Sequence, residues 1–300
     1  MTTDTSTPMD TSTPTARTAT VDPTVRFAPA LRSPALVGAK DRDGWVGLFD
    51  SDGFVEDPVE ASRYRGKARI QRFWDTFIGP QPSVGFEITR DFWAGSNLVR
   101  QATVVNITQA DPNEQLRVPA LIRYSVRGDR VGSLQAVWEP AKVVQWFFGR
   151  GMPGIRALSK HGLRMTLKTG IKSGVAFGGT LVGGLGADGA RSIVESLRSA
   201  DPRQWADRAA DAQITVGRGP HVDTYEADPG TALEQLQDYV GSVSQLGVDQ
   251  VVVCGHHVGA FLSEPEGPRA LALMLVADRD RKLTEMLAIA SDAPLILRAR

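Results

Sequence analysis

The sequence predicts an α+β fold in which helices pack on an antiparallel sheet, an arrangement present twice and joined by a helical connector. Three observations carry this expectation. Between residues 84 and 138, four alternating runs are punctuated by Gly95-Ser96-Asn97, Asp111-Pro112-Asn113 and Arg127-Gly128-Asp129, the chemistry of hairpin turns. The stretch 44–66, GWVGLFDSDGFVEDPVEASRYRG, reads as a helix end, a tight acidic turn and a short strand. Residues 190–300 echo both features in the same order, as an internal duplication would.

Length and composition agree with two units. A chain of 300 residues, 42% hydrophobic, accommodates two small cores and a connector. Lys plus Arg balances Asp plus Glu at 34 each, so overall charge gives no reason to expect nucleic acid as a partner. The single cysteine, Cys254, excludes an intramolecular disulfide, and with no secretory pattern the expected compartment is the cytoplasm. Asn106-Ile107-Thr108 matches a glycosylation acceptor but falls in an expected strand, so it reads as chance.

Residues 1–24 are Thr, Ser, Pro and Asp in an imperfect repeat (TDTSTPMDTSTPT), and with almost nothing apolar to bury they should form a disordered tail. The first domain is expected over residues 25–140. Pro29 and Pro34 interrupt its opening helix; since an internal proline costs about 3 kcal/mol, that helix should begin near Pro34. Trp45, Val46, Leu48 and Phe49 then lead through Asp50, Asp52 and Gly53 into a short strand. Pro58 forces Asp57 into an extended conformation, leaving its carboxylate at a strand end among apolar neighbours. Gly66 opens an amphipathic helix (Ile70, Phe73, Trp74, Phe77), Pro80 and Pro82 mark a loop, and strands follow at 84–94, 98–107, 116–126 and 131–138. In the third strand Ala120, Ile122 and Tyr124 share a face, because side chains alternate.

The run L-F-x-x-D-x-x-V-E-D-P-V, followed by Gly66 and its helix, resembles the opening of the ketosteroid isomerase and SnoaL-like proteins of the nuclear-transport-factor-2-like superfamily. The resemblance covers roughly residues 30–140 and implies a cone-shaped, curved antiparallel sheet wrapped around helices. It also implies an apolar cavity with Asp57 as general base, moving a proton on a hydrophobic carbonyl substrate such as a steroid or polyketide. Two oxyanion donors belong to that chemistry. The position of the first, a helix tyrosine, reads Ser33 here; that of the second, a protonated aspartic acid, reads Ile122, which cannot donate. Losing a preorganised donor typically costs about 2.7–4 kcal/mol of barrier. Tyr124 or Tyr64 is then the available replacement, and the expected site comprises Asp57 and Tyr124 as catalytic residues with Phe54, Tyr64, Trp93 and Ile122 around the substrate. Arg123 and Trp138 read as core or rim. A second reading of Asp57 is a turn-capping carboxylate that accepts backbone amides. No cofactor or metal is implied, because a carboxylate moves a proton unaided and no ligand cluster is visible. Since the superfamily often dimerises, a homodimer or an internal pseudo-dimer of the two units is the expected assembly.

Residues 141–189 differ from both neighbours. No acidic residue occurs between Glu139 and Asp188, whereas Lys142, Arg150, Arg156, Lys160, Arg164, Lys168 and Lys172 supply seven positive charges among interleaved apolar side chains. Lys160, Arg164, Lys168 and Lys172, spaced by four, form one slowly drifting stripe on a helix. Gly170, Gly174 and Gly178 repeat that spacing and would let helices approach closely. Two readings fit: residues 142–187 meet an anionic membrane surface, an acyl chain or an acidic partner, making the protein peripheral at the membrane, or they form a linker with a solvated basic face. The longest uncharged run, 173–187, is about 15 residues, short of the ~20 that a membrane span needs.

Residues 190–300 are expected to be a degenerate second copy. Trp205 stands for Trp45, Asp211 for Asp52, and Gly230, opening a helix with Leu233, Leu236 and Val240, stands for Gly66. One strand at 250–262 and a hairpin of 270–277 with 283–289 complete it. The base is not repeated, since the position of Asp57 reads Val216-Gly217. His256 and His257, adjacent in the expected strand, should point to opposite faces and cannot chelate one metal. Cys254, among valines, reads as a small core residue. The glycine-rich run 178–189 matches neither a phosphate loop nor a dinucleotide fingerprint. Three functions remain: a proton-transfer or cyclisation enzyme, a binding protein for a steroid, polyketide or lipid-like molecule, and an assembly module.

Overall fold

The computed structural model describes residues 22–292 apart from positions 109, 112, 200 and 201, together with residues 296 and 297. The expected tail therefore lies almost wholly outside the described residues, and its last positions are already helical. Helix α1 (Pro23–Arg26) is capped by Asp22, whose carboxylate accepts from the Thr24 amide at 2.8 Å. Helix α2 (Ala28–Gly38) starts six residues before Pro34, which lies inside it. Pro29 falls in its first turn, where a missing N–H costs nothing, and only Pro34 removes an internal hydrogen bond. Ala30, Leu31, Ser33 and Val37 form the buried face of α2. Helix α3 (Arg42–Gly47) is capped by Asp41, which accepts from the Gly44 amide at 2.9 Å.

A six-stranded sheet follows. It comprises β1 (Phe49–Glu56), β2 (Arg63–Arg65), β3 (Ser83–Ala94), β4 (Asn97–Ile107), β5 (Gln115–Arg127) and β6 (Arg130–Val137), in the order β2-β1-β6-β5-β4-β3. The four long strands begin and end within one residue of the alternating runs read from the sequence. Only β1 and β6 pair in parallel. Between β2 and β3, helix α4 (Lys67–Phe73) starts at Gly66, whose φ of 79° suits glycine, and continues as a π-helical turn over Trp74–Ile78. A register shift in β3 between Ile88 and Arg90 bends the sheet.

The connector folds as α5 (Pro140–Phe148), α6 (Gly151–Thr169) and α7 (Ile171–Val182), with Gly170 at φ 89° making the break between the last two. Helix α8 (Gly186–Arg198) already belongs to the second unit, because Ala190, Ile193, Val194 and Leu197 enter its core. That unit continues with α9 (Pro202–Ala209), β7 (Gln213–Arg218), β8 (His221–Glu226), α10 (Pro229–Val240), β9 (Gly247–Cys254), β10 (His257–Ser263), β11 (Ala270–Ala277) and β12 (Leu283–Ser291). Its sheet runs β8-β7-β12-β11-β10-β9, the order of the first sheet strand for strand, with β7 and β12 as the parallel pair. Trp205 is buried on α9 as Trp45 is on α3.

One expected strand is corrected. The run 250–262 is two strands, because Gly255 at φ 59° turns the chain between β9 and β10. His256 therefore sits in a turn, and both histidines reach one group: Glu60 Oε1 lies 2.8 Å from His257 Nδ1 and accepts from the His256 amide at 2.6 Å.

The two sheets pack on each other through the faces turned away from their own helices. Leu98 and Ala102 of β4 enter the first unit's own core, whereas Val99 between them joins Phe92, Leu121 and Val137 against Val252, Phe261, Met274 and Ile289 of the second sheet. The Phe92 and Phe261 rings stack at 5.7 Å and 29°. Gly259 is required at this contact, since a Cβ there would lie 2.9 Å from the Leu121 Cβ. Backbone bonds pin one end: the Gly95 amide donates to Gly219 O at 2.8 Å and the Gly219 amide to Trp93 O at 2.9 Å. Cys254 is buried in the same layer, its thiol pushed up to about 12 by burial, in keeping with a core residue. Truncating the fully buried Phe261 to Ala should cost about 3–5 kcal/mol in urea unfolding. A loss below about 1 kcal/mol would show that the sheets do not depend on this contact.

Candidate active site

Inside the first sheet, α2, the π-helical turn and the concave faces of β3 to β6 enclose a cavity with about 170 Å³ open to water centres. Its wall is apolar over most of its area, with Val37, Phe73, Phe77, Val118, Ala120 and Leu134 among the lining side chains. The polar atoms are few, and each has a structural origin.

Asp57 is the first residue after β1, and the Asp57–Pro58 peptide is cis. The parallel pairing that places Glu56 opposite Gln135 brings the end of β1 beside the end of β6, one residue before Trp138. There the Trp138 indole Nε1 donates to Asp57 Oδ1 at 2.6 Å. This bond holds the carboxylate against the cavity wall, and both residues line the cavity. Burial pushes the Asp57 carboxyl up from 3.8 to about 6, and the indole bond, which favours the ionised form, only partly opposes it. Among the described residues the hydrogen-bond donor to Asp57 is an indole and not a backbone amide, which disfavours the turn-capping reading. Glu56, next in the chain, faces elsewhere: Arg63 and Gln135 donate to its Oε2 at 3.0 and 3.1 Å.

A second polar group gathers around Ser33 on the buried face of α2. Its Oγ accepts from Trp45 Nε1 at 2.9 Å and, less closely, from the Tyr124 hydroxyl at 3.3 Å. A serine hydroxyl has two acceptor sites and one proton. Both acceptor sites are occupied, so the proton is what Ser33 has left to offer, and Ser33 lines the cavity. Burial raises the Tyr124 phenol above its ordinary value, keeping it protonated as the donor in this arrangement. Behind it, Arg100 and Asp91 form a buried pair, Nε to Oδ1 at 2.7 Å and Nη2 to Oδ2 at 3.0 Å, and Asp91 also accepts from the Leu297 amide at 2.8 Å. Farther along the cavity wall, Asn106 presents a buried Oδ1 with no hydrogen-bond partner among the described residues.

Of the six side chains expected at the site, Asp57, Ile122 and Tyr124 line the cavity and three do not. Phe54 faces away because side chains alternate along β1: Val55 points into the core, and Phe54 lies under the guanidinium groups of Arg63 and Arg65 at 4.5 and 5.5 Å. Tyr64 is buried outside the cavity against Phe73, with ring centres 5.3 Å apart, and its hydroxyl meets Thr169 and Ser173 of the connector. Trp93 packs edge-on to Phe27 at 6.0 Å, at the junction with Gly219. Trp138, read as a core or rim residue, proves to be the partner of Asp57. The signal that could have located it is the parallel β1–β6 pairing, which an all-antiparallel reading conceals.

Residues 30–133 match the family of SnoaL-like domains. The first unit is a SnoaL-like domain. Its fold is that of the nuclear-transport-factor-2-like superfamily. Solved structures similar to this SnoaL-like domain include a Δ5-3-ketosteroid isomerase from Mycobacterium sp., at 25% identity and a TM-score of 0.34, over 38% of this chain and 92% of that one. A Mycobacterium tuberculosis protein in complex with estradiol-17β-hemisuccinate is 19% identical, with a TM-score of 0.34, over 38% and 92%. A protein of ketosteroid isomerase-like fold from Catenulispora acidiphila, in complex with trimethylamine, is 18% identical, with a TM-score of 0.36, over 39% and 89%. No curated protein matches the chain.

The Asp57 environment has a consequence for stability. Its folded carboxyl is raised to about 6, above its unfolded value, so the fold favours the protonated form. That contribution is complete below about pH 4 and is lost as pH rises through about 6. Asp57→Asn keeps an acceptor for Trp138 without the charge. The variant should therefore exceed wild type in urea unfolding by on the order of 1–3 kcal/mol above about pH 7, with the gap closing below about pH 4. Equal stabilities at neutral pH would contradict the burial of the charge.

Proposed function

We propose that the SnoaL-like domain binds a hydrophobic carbonyl compound of the steroid, polyketide or lipid-like kind, and that Asp57 moves a proton on it. The observation that carries the reading is a carboxyl raised to about 6, held by Trp138 at the wall of an apolar cavity. Near neutral pH such a group is ionised yet basic enough to take a proton from a C–H made acidic by a neighbouring carbonyl. The C–H electron pair moves into the carbonyl, giving an enolate. The Ser33 hydroxyl, oriented by Trp45 and Tyr124, donates to that oxygen, and Asp57 returns the proton to another carbon. Tyr124 thus acts through Ser33 as a positioning residue, which revises its expected role as the direct donor. A hydrophobic ligand fits the lining, and the unpartnered Asn106 oxygen can accept from a hydroxyl on it. The ketosteroid isomerase and the estradiol derivative among the similar structures name ligands of this chemical kind.

A second reading, binding without turnover, is favoured by Ile122. It stands where a second donor would be needed, and one hydroxyl stabilises an enolate less than two donors do. Isomerisation of a β,γ-unsaturated ketosteroid, followed by ultraviolet absorbance, separates the two. The expected kcat/KM rises with pH through a midpoint near 6 to a plateau, as the base ionises. Asp57→Asn should lower it by about 10²–10⁴ and Ser33→Ala by about 10²–10³. Unchanged rates in Asp57→Asn would overturn the proton-transfer role, whereas ligand binding with no turnover by wild type would establish the second reading.

A further inference from the structure

The connector helices carry their apolar and polar faces the wrong way round for a surface in contact only with water. On α7 the buried side includes Ser173 and Thr180, whose hydroxyls donate to the Thr169 and Phe177 carbonyls. The outward side presents Ile171, Val175 and Val182, 73%, 70% and 90% exposed. On α6, Leu163 and Leu167 are likewise 61% and 76% exposed. At ~100° per residue, the three apolar residues of α7 fall within about 40° of one another, so they form one strip rather than a scatter. Surface helices ordinarily turn such strips toward a core.

Alongside these residues runs a row of cations. Arg156, Lys160 and Arg164 follow the exposed apolar row of α6, and Lys172 adjoins Ile171 on α7. These four make no ion pair among the described residues, whereas Lys142 and Arg150, nearer the sheet, pair with Glu139 and with Glu114. With no acid between Glu139 and Asp188, nothing within the connector compensates the row. Against a second copy of this chain, the same positive face would meet itself and repel. An anionic bilayer satisfies both rows at once, taking the apolar side chains below the headgroups and leaving Lys and Arg at phosphate level.

We propose that the outward face of α6 and α7 docks on an anionic lipid bilayer. No helix among the described residues is long and apolar enough to cross a membrane, so the contact lies flat. Docking would also bring lipid close to the cavity wall, because His161 of α6 packs at 5.4 Å on Phe77, which lines the cavity. The proposal stands apart from the activity assigned to Asp57 and is tested without it.

The test is co-sedimentation of the full chain with vesicles of phosphatidylcholine alone and of phosphatidylcholine mixed with phosphatidylglycerol. Sedimentation with the mixed vesicles should be strong at low ionic strength and fall as salt is added. Replacing both Lys160 and Arg164 with Gln should weaken partitioning about 25-fold, about fivefold per charge. The pair Leu167→Asp with Ile171→Asp should abolish it. Lys160, Leu167 and Ile171 are exposed and Arg164 is half-buried, and circular dichroism would verify folding. Absence of sedimentation with phosphatidylglycerol vesicles at low ionic strength would overturn the proposal, as would equal sedimentation with phosphatidylcholine alone. A concentration-dependent dimer in analytical ultracentrifugation that the two aspartates dissolve would assign the face to a second copy and overturn it as well.

Discussion

The parallel pairing of β1 with β6 is the constraint on which the site depends. It closes one side of the first sheet and brings two strand ends together, so that Asp57 leaves β1 where Trp138 leaves β6. Without that pairing the carboxylate would be an ordinary strand-end acid in water. With it, the group is enclosed, held by an indole and raised to about 6. The apolar lining then acts twice, excluding water from the carboxylate and offering surface to a hydrophobic ligand.

The second sheet repeats the strand order of the first but not its site. Asp57 is the first residue after β1, whereas the first after its counterpart β7 is Gly219, so Val216 and Gly217, expected to stand for Asp57, lie inside the strand, with Val216 buried in a hydrophobic cluster with Trp205 and Leu236. What the second unit supplies structurally is cover. Its sheet removes from water the face of the first sheet that carries Phe92, Val99 and Leu121, and Gly259 permits the close approach. Glu60, just beyond the Asp57–Pro58 turn, binds the β9–β10 turn through His256 and His257, so the loop behind Asp57 is tied to the second unit.

Much of this was legible in the sequence because it rests on local chemistry. Alternation and turn residues place β3 to β6 within a residue, and Pro58 marks the strand end that carries Asp57. What was not legible depends on contacts between distant segments. The β1–β6 pairing gives Trp138 its role, and the alternation of β1 relative to a core that is known only once folded sends Phe54 outward. The turn at Gly255 was hidden because a single glycine, followed by two histidines between apolar stretches, is equally compatible with a continuous strand. Ser33 stands where the resemblance expects a tyrosine, and its value emerges only with Trp45 and Tyr124 placed around it.

Burial of the Asp57 charge is the central claim, and carbon-13 detected titration of the Asp57 carboxyl tests it most directly. A midpoint near 6 that moves further up when a hydrophobic ligand fills the cavity is the expected result, because the ligand displaces the remaining water. A midpoint near 4, unmoved by ligand, would place the carboxylate in water and contradict the account.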